Sequence, residues 1–71
     1  MQDTYYYWAI VGRIATDKGD TPFCTVLPET EQEAVRQFLE QLREQSAELY
    51  FANGAIVTAV FRSTEPIECM S

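Results

Sequence analysis

Four consecutive aromatic residues, Tyr5, Tyr6, Tyr7 and Trp8, run directly into Ala9, Ile10 and Val11 near the start of a 71-residue chain. Side chains along a strand alternate between its two faces. A strand here sends Tyr6, Trp8 and Ile10 to one side, and Tyr5, Tyr7 and Val11 to the other. A chain of this length has room for one substantial helix, and one helix shelters one side of a sheet. The expectation is a sheet with one covered face and one open, apolar, aromatic face that meets another surface.

The length allows a single domain spanning residues 1–71. A chain of about 60 residues buries only about 60% of the surface its unfolded form exposes, and so small a core favours completion by oligomerisation. Hydrophobic residues make up 46% of the chain, enough for a globular core and too many for a disordered segment. No apolar run approaches the roughly 20 residues that span a membrane. Met1-Gln2-Asp3 lacks the basic start and apolar stretch of a signal peptide. The expected location is the cytoplasm.

Histidine is absent, which removes the commonest general base and the commonest metal ligand. The two cysteines, Cys24 and Cys69, cannot complete a zinc site alone. A disulfide between them is open, but a cytosolic setting favours free thiols, with Cys24 acting as a small buried apolar residue. Gly12, Gly19 and Gly54 are isolated, so no phosphate-cradling loop exists. No metal or other cofactor is expected, and no enzyme. Gly12, in mid-strand, marks a bulge or a place where the helix comes close. The net charge is −6 with five Lys and Arg in all, whereas binding nucleic acid depends on neutralising phosphates with such residues. The balance points to a protein partner with a basic surface rather than to direct nucleic-acid contact.

Thr4 to Ala15 reads as a long strand, rich in aromatic and β-branched residues. Asp17-Lys18-Gly19-Asp20 is a turn, and Phe23 to Leu27 a second strand closed by Pro28. With a loop of two or four residues, Ile14 lies opposite Phe23 and Ile10 opposite Leu27, so Phe23 and Leu27 join Trp8 and Ile10. Thr30 followed by Glu33 is a capping box, with Glu29 and Glu31 also favourable at the positive helix end. Val35, Phe38, Leu39, Leu42 and Leu49 recur at helical spacing. A helix from about Glu31 to about Ala52, stopped by Asn53-Gly54, is the favoured arrangement. Its rival ends the helix near Gln45 and makes Leu49-Tyr50-Phe51 a strand turning through Asn53-Gly54. Ala55 to Ser63 is the last strand. The fold class is α+β: an antiparallel sheet of three strands, or four, in β-β-α-β order. The first strand is central and one helix packs on one face.

Two surfaces are candidates for binding. The open sheet face carries Tyr5, Tyr7, Val11 and Arg13, with Val26 beside them. From the last strand, either Ile56, Val60 and Arg62 or Val57 and Phe61 join them, and the first set is preferred because Arg62 favours water. Large apolar patches mark interaction sites, Tyr and Arg are enriched at hot spots, and a symmetric homodimer is the commonest such contact. The plainer alternative is that the tail after Pro66, or a fourth strand, covers this face. The second surface is the outer helix side, where Glu33, Glu40, Glu44 and Glu48 offer carboxylates that imitate a nucleic-acid backbone; the plainer alternative there is a solvated face.

The segments YYYWAIVGRIA, ETEQEAVRQFLEQLRE and AIVTAVFRSTEPI, with the small size, acidity and hairpin–helix–strand order, resemble the small inhibitor proteins carried by phages and mobile elements, including anti-CRISPR proteins. The resemblance covers general character only and assigns no role to any single residue. It implies a stoichiometric inhibitor that occludes a surface of a host nucleic-acid-processing or defence complex. A small accessory or regulatory subunit docking through the open face is the other reading.

Overall fold

The aromatic segment forms β1, Tyr7–Ile14, the central strand of an antiparallel sheet in the computed structural model, which describes residues 5–68. Burial alternates along it without a break. Trp8, Ile10, Gly12 and Ile14 are buried, while Tyr7, Ala9, Val11 and Arg13 are half-buried. β2 (Thr21–Cys24) and β3 (Ala55–Ser63) flank it, giving the order β2-β1-β3. Two helices lie between them in sequence, so the element order is β-β-α-α-β rather than β-β-α-β. No fourth strand occurs among the described residues.

The helical segment begins where expected. Thr30 Oγ1 accepts the Glu33 N–H, and Glu33 Oε1 accepts the Thr30 N–H, both at 3.3 Å, and α1 (Glu31–Gln45) follows. It ends at Gln45, where the rival arrangement put it, rather than continuing to Ala52, but Leu49-Tyr50-Phe51 is not a strand: it belongs to a second helix, α2 (Ala47–Asn53). The division falls at Ser46, whose backbone leaves the helical region (φ −154°, ψ 75°). Its N–H donates to the Leu42 carbonyl at 3.1 Å and its own carbonyl accepts the Tyr50 N–H at 2.9 Å. One residue therefore caps both helices. The change of direction sends Tyr50 onto the core and leaves Leu49, expected inside, 44% exposed. Gly54, at φ 80°, ends α2 by donating to the Tyr50 carbonyl at 2.8 Å.

The core is a sandwich of two short rows. Ala34, Phe38 and Leu42, at four-residue spacing on α1, pack against Trp8, Ile10 and Ile14 of β1. Full burial of each large apolar side chain contributes about 1.5–3 kcal/mol. Gly12 sits in the same row, and a Cβ there would collide with the Ile56 carbonyl and lie 2.9 Å from the Phe38 ring. The β1–β3 register also shifts at this point, from Val11 opposite Ala59 to Gly12 opposite Val57, which leaves Thr58 as the extra residue of a β-bulge. Both roles expected for this glycine are present together.

The hairpin register differs from expectation. Ile10, not Ile14, lies opposite Phe23, because the β1–β2 pairing stops at Gly12 opposite Thr21 and the chain makes a longer excursion between them. Phe23 still packs on the core, but Leu27 is 64% exposed. β2 ends early because Thr25 Oγ1 accepts the Trp8 N–H at 3.0 Å, taking the place of a ladder carbonyl. The chain returns to β1 only at Glu29, which exchanges two backbone hydrogen bonds with Tyr6, at 3.0 and 2.9 Å. The Glu29 carbonyl also accepts Trp8 Nε1–H at 2.6 Å. Val26, Leu27 and Pro28 are exposed between these two ties. Cys24, opposite Ala9, is disulfide-bonded and half-buried rather than a free, buried thiol. Cys69 lies outside the described residues.

Candidate partner-binding surface

Antiparallel partners share a face, so the register fixes what the open side of the sheet carries. Tyr7, Ala9, Val11 and Arg13 of β1 lie there beside Ser63, Phe61, Ala59 and Ile56 of β3, and beside Cys24 and Pro22 of β2. The bulge decides this arrangement, because one extra residue reverses which side the rest of the strand presents. Beyond it, Val60 and Arg62 share the core side with Ile10 and Trp8, and before it Ile56 faces the open side. Neither expected set is therefore intact. Ile56 and Phe61 are on the open face, and Val57 and Val60 are on the other.

Arg62 corrects the expected site. It lies opposite Trp8, and its guanidinium carbon stands 4.8 Å from the centre of the Tyr6 ring. Tyr6 in turn meets Trp8 edge-on, with ring centres 6.0 Å apart. The arginine thus finds water at the rim of the covered face, with a cation–π contact that is worth about 0.5–1 kcal/mol at exposed sites. Arg13 is on the open face as expected, but its Nη1 is held by Asp20 at 2.8 Å, across the hairpin connection. That pair is partly solvated and contributes little to stability.

Exposure is not concentrated on the central strand. Tyr7 and Val11 are half-buried, whereas Tyr5, just ahead of β1, is 56% exposed and Phe61 of β3 is 60% exposed. Ile56 and Val57, on opposite sides of β3, are exposed at 39% and 38%. Beyond β2, Val26 and Leu27 are exposed at 84% and 64%, and within the three strands the exposed large apolar side chains are all on β3. A missing helix neighbour explains it: the buried cluster draws on β1 and α1, and β3 adds only Ala55 and Val60 at its margin.

The four glutamates do not form one row. Glu33 is engaged in the capping box, Glu40 and Glu44 are exposed on α1, and Glu48 is exposed on α2 beyond the Ser46 break. Two arginines interleave with them. Arg36, Leu39, Glu40 and Arg43 of α1, with Tyr50 of α2, line a shallow groove of about 220 Å³. This side of α1 carries both signs of charge.

Among the described residues, no group of three or more His, Cys, Asp or Glu side chains could hold a metal ion. No helix of the described residues is long and apolar enough to cross a membrane. No family model, no curated protein and no solved structure matches the chain.

Proposed function

We propose that this chain is a non-enzymatic protein-binding module that acts stoichiometrically, by occluding a surface of a larger nucleic-acid-processing or defence complex. The observation that carries the reading is the apolar open side of the sheet, where Tyr5 and Phe61 are more than half exposed around half-buried Tyr7 and Val11. Aromatic anchors of this kind supply most of the affinity in protein interfaces. The interrupted acidic row favours this face over mimicry of a nucleic-acid backbone, since of its four members only Glu40 and Glu44 are exposed together on one helix.

Purified protein immobilised on a support is expected to retain a specific partner from a host extract, and Tyr5→Ala with Tyr7→Ala to lose it. Retention of the same partner by a folded double variant rejects the reading. Charge reversal at Glu40 and Glu44 is expected to alter the salt dependence of association more than the dissociation rate. The second reading, an accessory subunit docking through the same surface, separates on activity. Titrating the protein into the captured complex abolishes activity at one-to-one stoichiometry for an inhibitor and leaves it intact for a subunit.

A further inference from the structure

We infer that the outer edge of β3 pairs with the same edge of a second copy, joining two sheets into one continuous six-stranded sheet across a two-fold axis. The inference is independent of the occlusion reading and starts from the contrast between the two sheet edges. An edge strand turns alternate N–H and C=O groups away from its sheet, and a long unprotected edge is a template for another strand. The β2 edge is protected. It is four residues long, contains Pro22, which has no N–H to give, and gives way to the excursion at Val26 to Pro28. The β3 edge lacks the shortness and the proline, and its bulge at Thr58 leaves residues 59–63 regular. Its nine residues, AIVTAVFRS, include no proline, lysine or carboxylate.

Charge selects the second copy as the occupant. A chain of net charge −6 repels itself over most of its surface, yet β3 carries no acidic residue, and its one charge, Arg62, lies over the Tyr6 ring. The bulge at Thr58 is closed against β1 by a hydrogen bond from its Oγ1 to the Val11 carbonyl, at 3.0 Å. Residues 59–63 therefore form the regular stretch available for pairing. Antiparallel self-pairing centred on Phe61 sets Phe61 against its own copy, Val60 against Arg62, and Ala59 against Ser63. No like charges oppose one another, and Phe61, the most exposed large apolar side chain of the strand, gains an aromatic neighbour.

The test combines sedimentation equilibrium with amide hydrogen exchange on the full chain. The expected result is a species of twice the 8.1 kDa chain mass that dissociates on dilution. In the dimer, consecutive amides through residues 59–63 are protected, whereas an unpaired edge protects only alternate ones. Phe61→Lys places two like charges in direct opposition and is expected to weaken dimerisation at least about tenfold while preserving the circular dichroism spectrum. Tyr5→Lys, on the open side but off the edge, is expected to leave dimerisation unchanged. A monomer at every concentration overturns the inference, and so does a dimer with alternating protection or one insensitive to Phe61→Lys. Should that lysine variant fail to fold, the exchange pattern of the unmodified protein decides alone. A monomer that still captures a partner through Tyr5 and Tyr7 sinks the dimer and leaves the occlusion reading standing.

Discussion

Gly12 is the residue at which three elements meet. Its missing side chain lets the Phe38 ring rest on β1 and lets the Ile56 carbonyl pass the bulge. The ring could rotate a little to accommodate a methyl group, but a backbone carbonyl in a strand ladder has nowhere to go. Gly12→Ala is therefore expected to destabilise by about 1–3 kcal/mol, the range for overpacking. For a domain of this size that lowers the thermal midpoint by roughly 4–8 °C for each kcal/mol. Adding Phe38→Leu should recover only part of the loss, because the carbonyl clash remains; complete recovery would show that the ring alone sets the constraint. A glycine inside an aromatic strand announces such a site in the sequence. Arg62 does not announce its own. Its face depends on whether an odd or even number of residues separates it from the pairing with Gly12, and Thr58 changes that parity without any local signature.

At the scale of elements, strong short-range chemistry was readable and weak or long-range competition was not. The capping box at Thr30 and Glu33 and the glycine stop at Gly54 are local devices, and both ends of the helical region fall where those residues put them. The helix end near Gln45 was readable as the rival arrangement, whereas the second helix beyond Ser46 was not. Serine in a helix interior costs only a few tenths of a kcal/mol, so packing of Tyr50 against the core can decide the matter. The early end of β2 was hidden for a related reason, since Thr25 is a good strand former whose hydroxyl is diverted to the Trp8 N–H, seventeen positions back in the chain. Reciprocity within the capping box makes a further prediction. Thr30→Ala should cost about 1 kcal/mol, and Glu33→Ala should cost much less in that background than in the native one, because the two groups act as a unit. Chemical denaturation of the four variants checks this, and additive losses would show that the two contacts act independently. The same coupling means that charge changes at Glu33 alter folding before they alter any partner.

For the whole molecule, the balance between a small core and its constraints sets the behaviour. Among the described residues, six buried apolar side chains make up the central cluster, and two of the six are Ala34 and Trp8, the first small and the second still touching solvent. A domain of this length has a net stability of roughly 0.05–0.15 kcal/mol per residue, so a single cross-link is a large fraction of the total. Cys24 is disulfide-bonded at the edge of β2, the shortest strand, where the ladder to β1 is weakest. A disulfide typically stabilises by about 2–4 kcal/mol, chiefly by restricting the unfolded chain. Reduction is therefore expected to lower the thermal midpoint by more than about 10 °C, using the size scaling for small domains, and Cys24→Ser to do the same without added reductant. Loss of protection should begin at β2 and at the Thr25–Glu29 connection, while the β1–β3 ladder and α1 persist longest, since they hold the buried cluster between them. If the midpoint does not move on reduction, the cross-link is incidental, and the row of Trp8, Ile10 and Ile14 against Ala34, Phe38 and Leu42 carries the fold unaided. If instead the reduced chain unfolds at ambient temperature, the protein is stable only where thiols stay oxidised, and the cytoplasm of most cells would then be a place where it could not act.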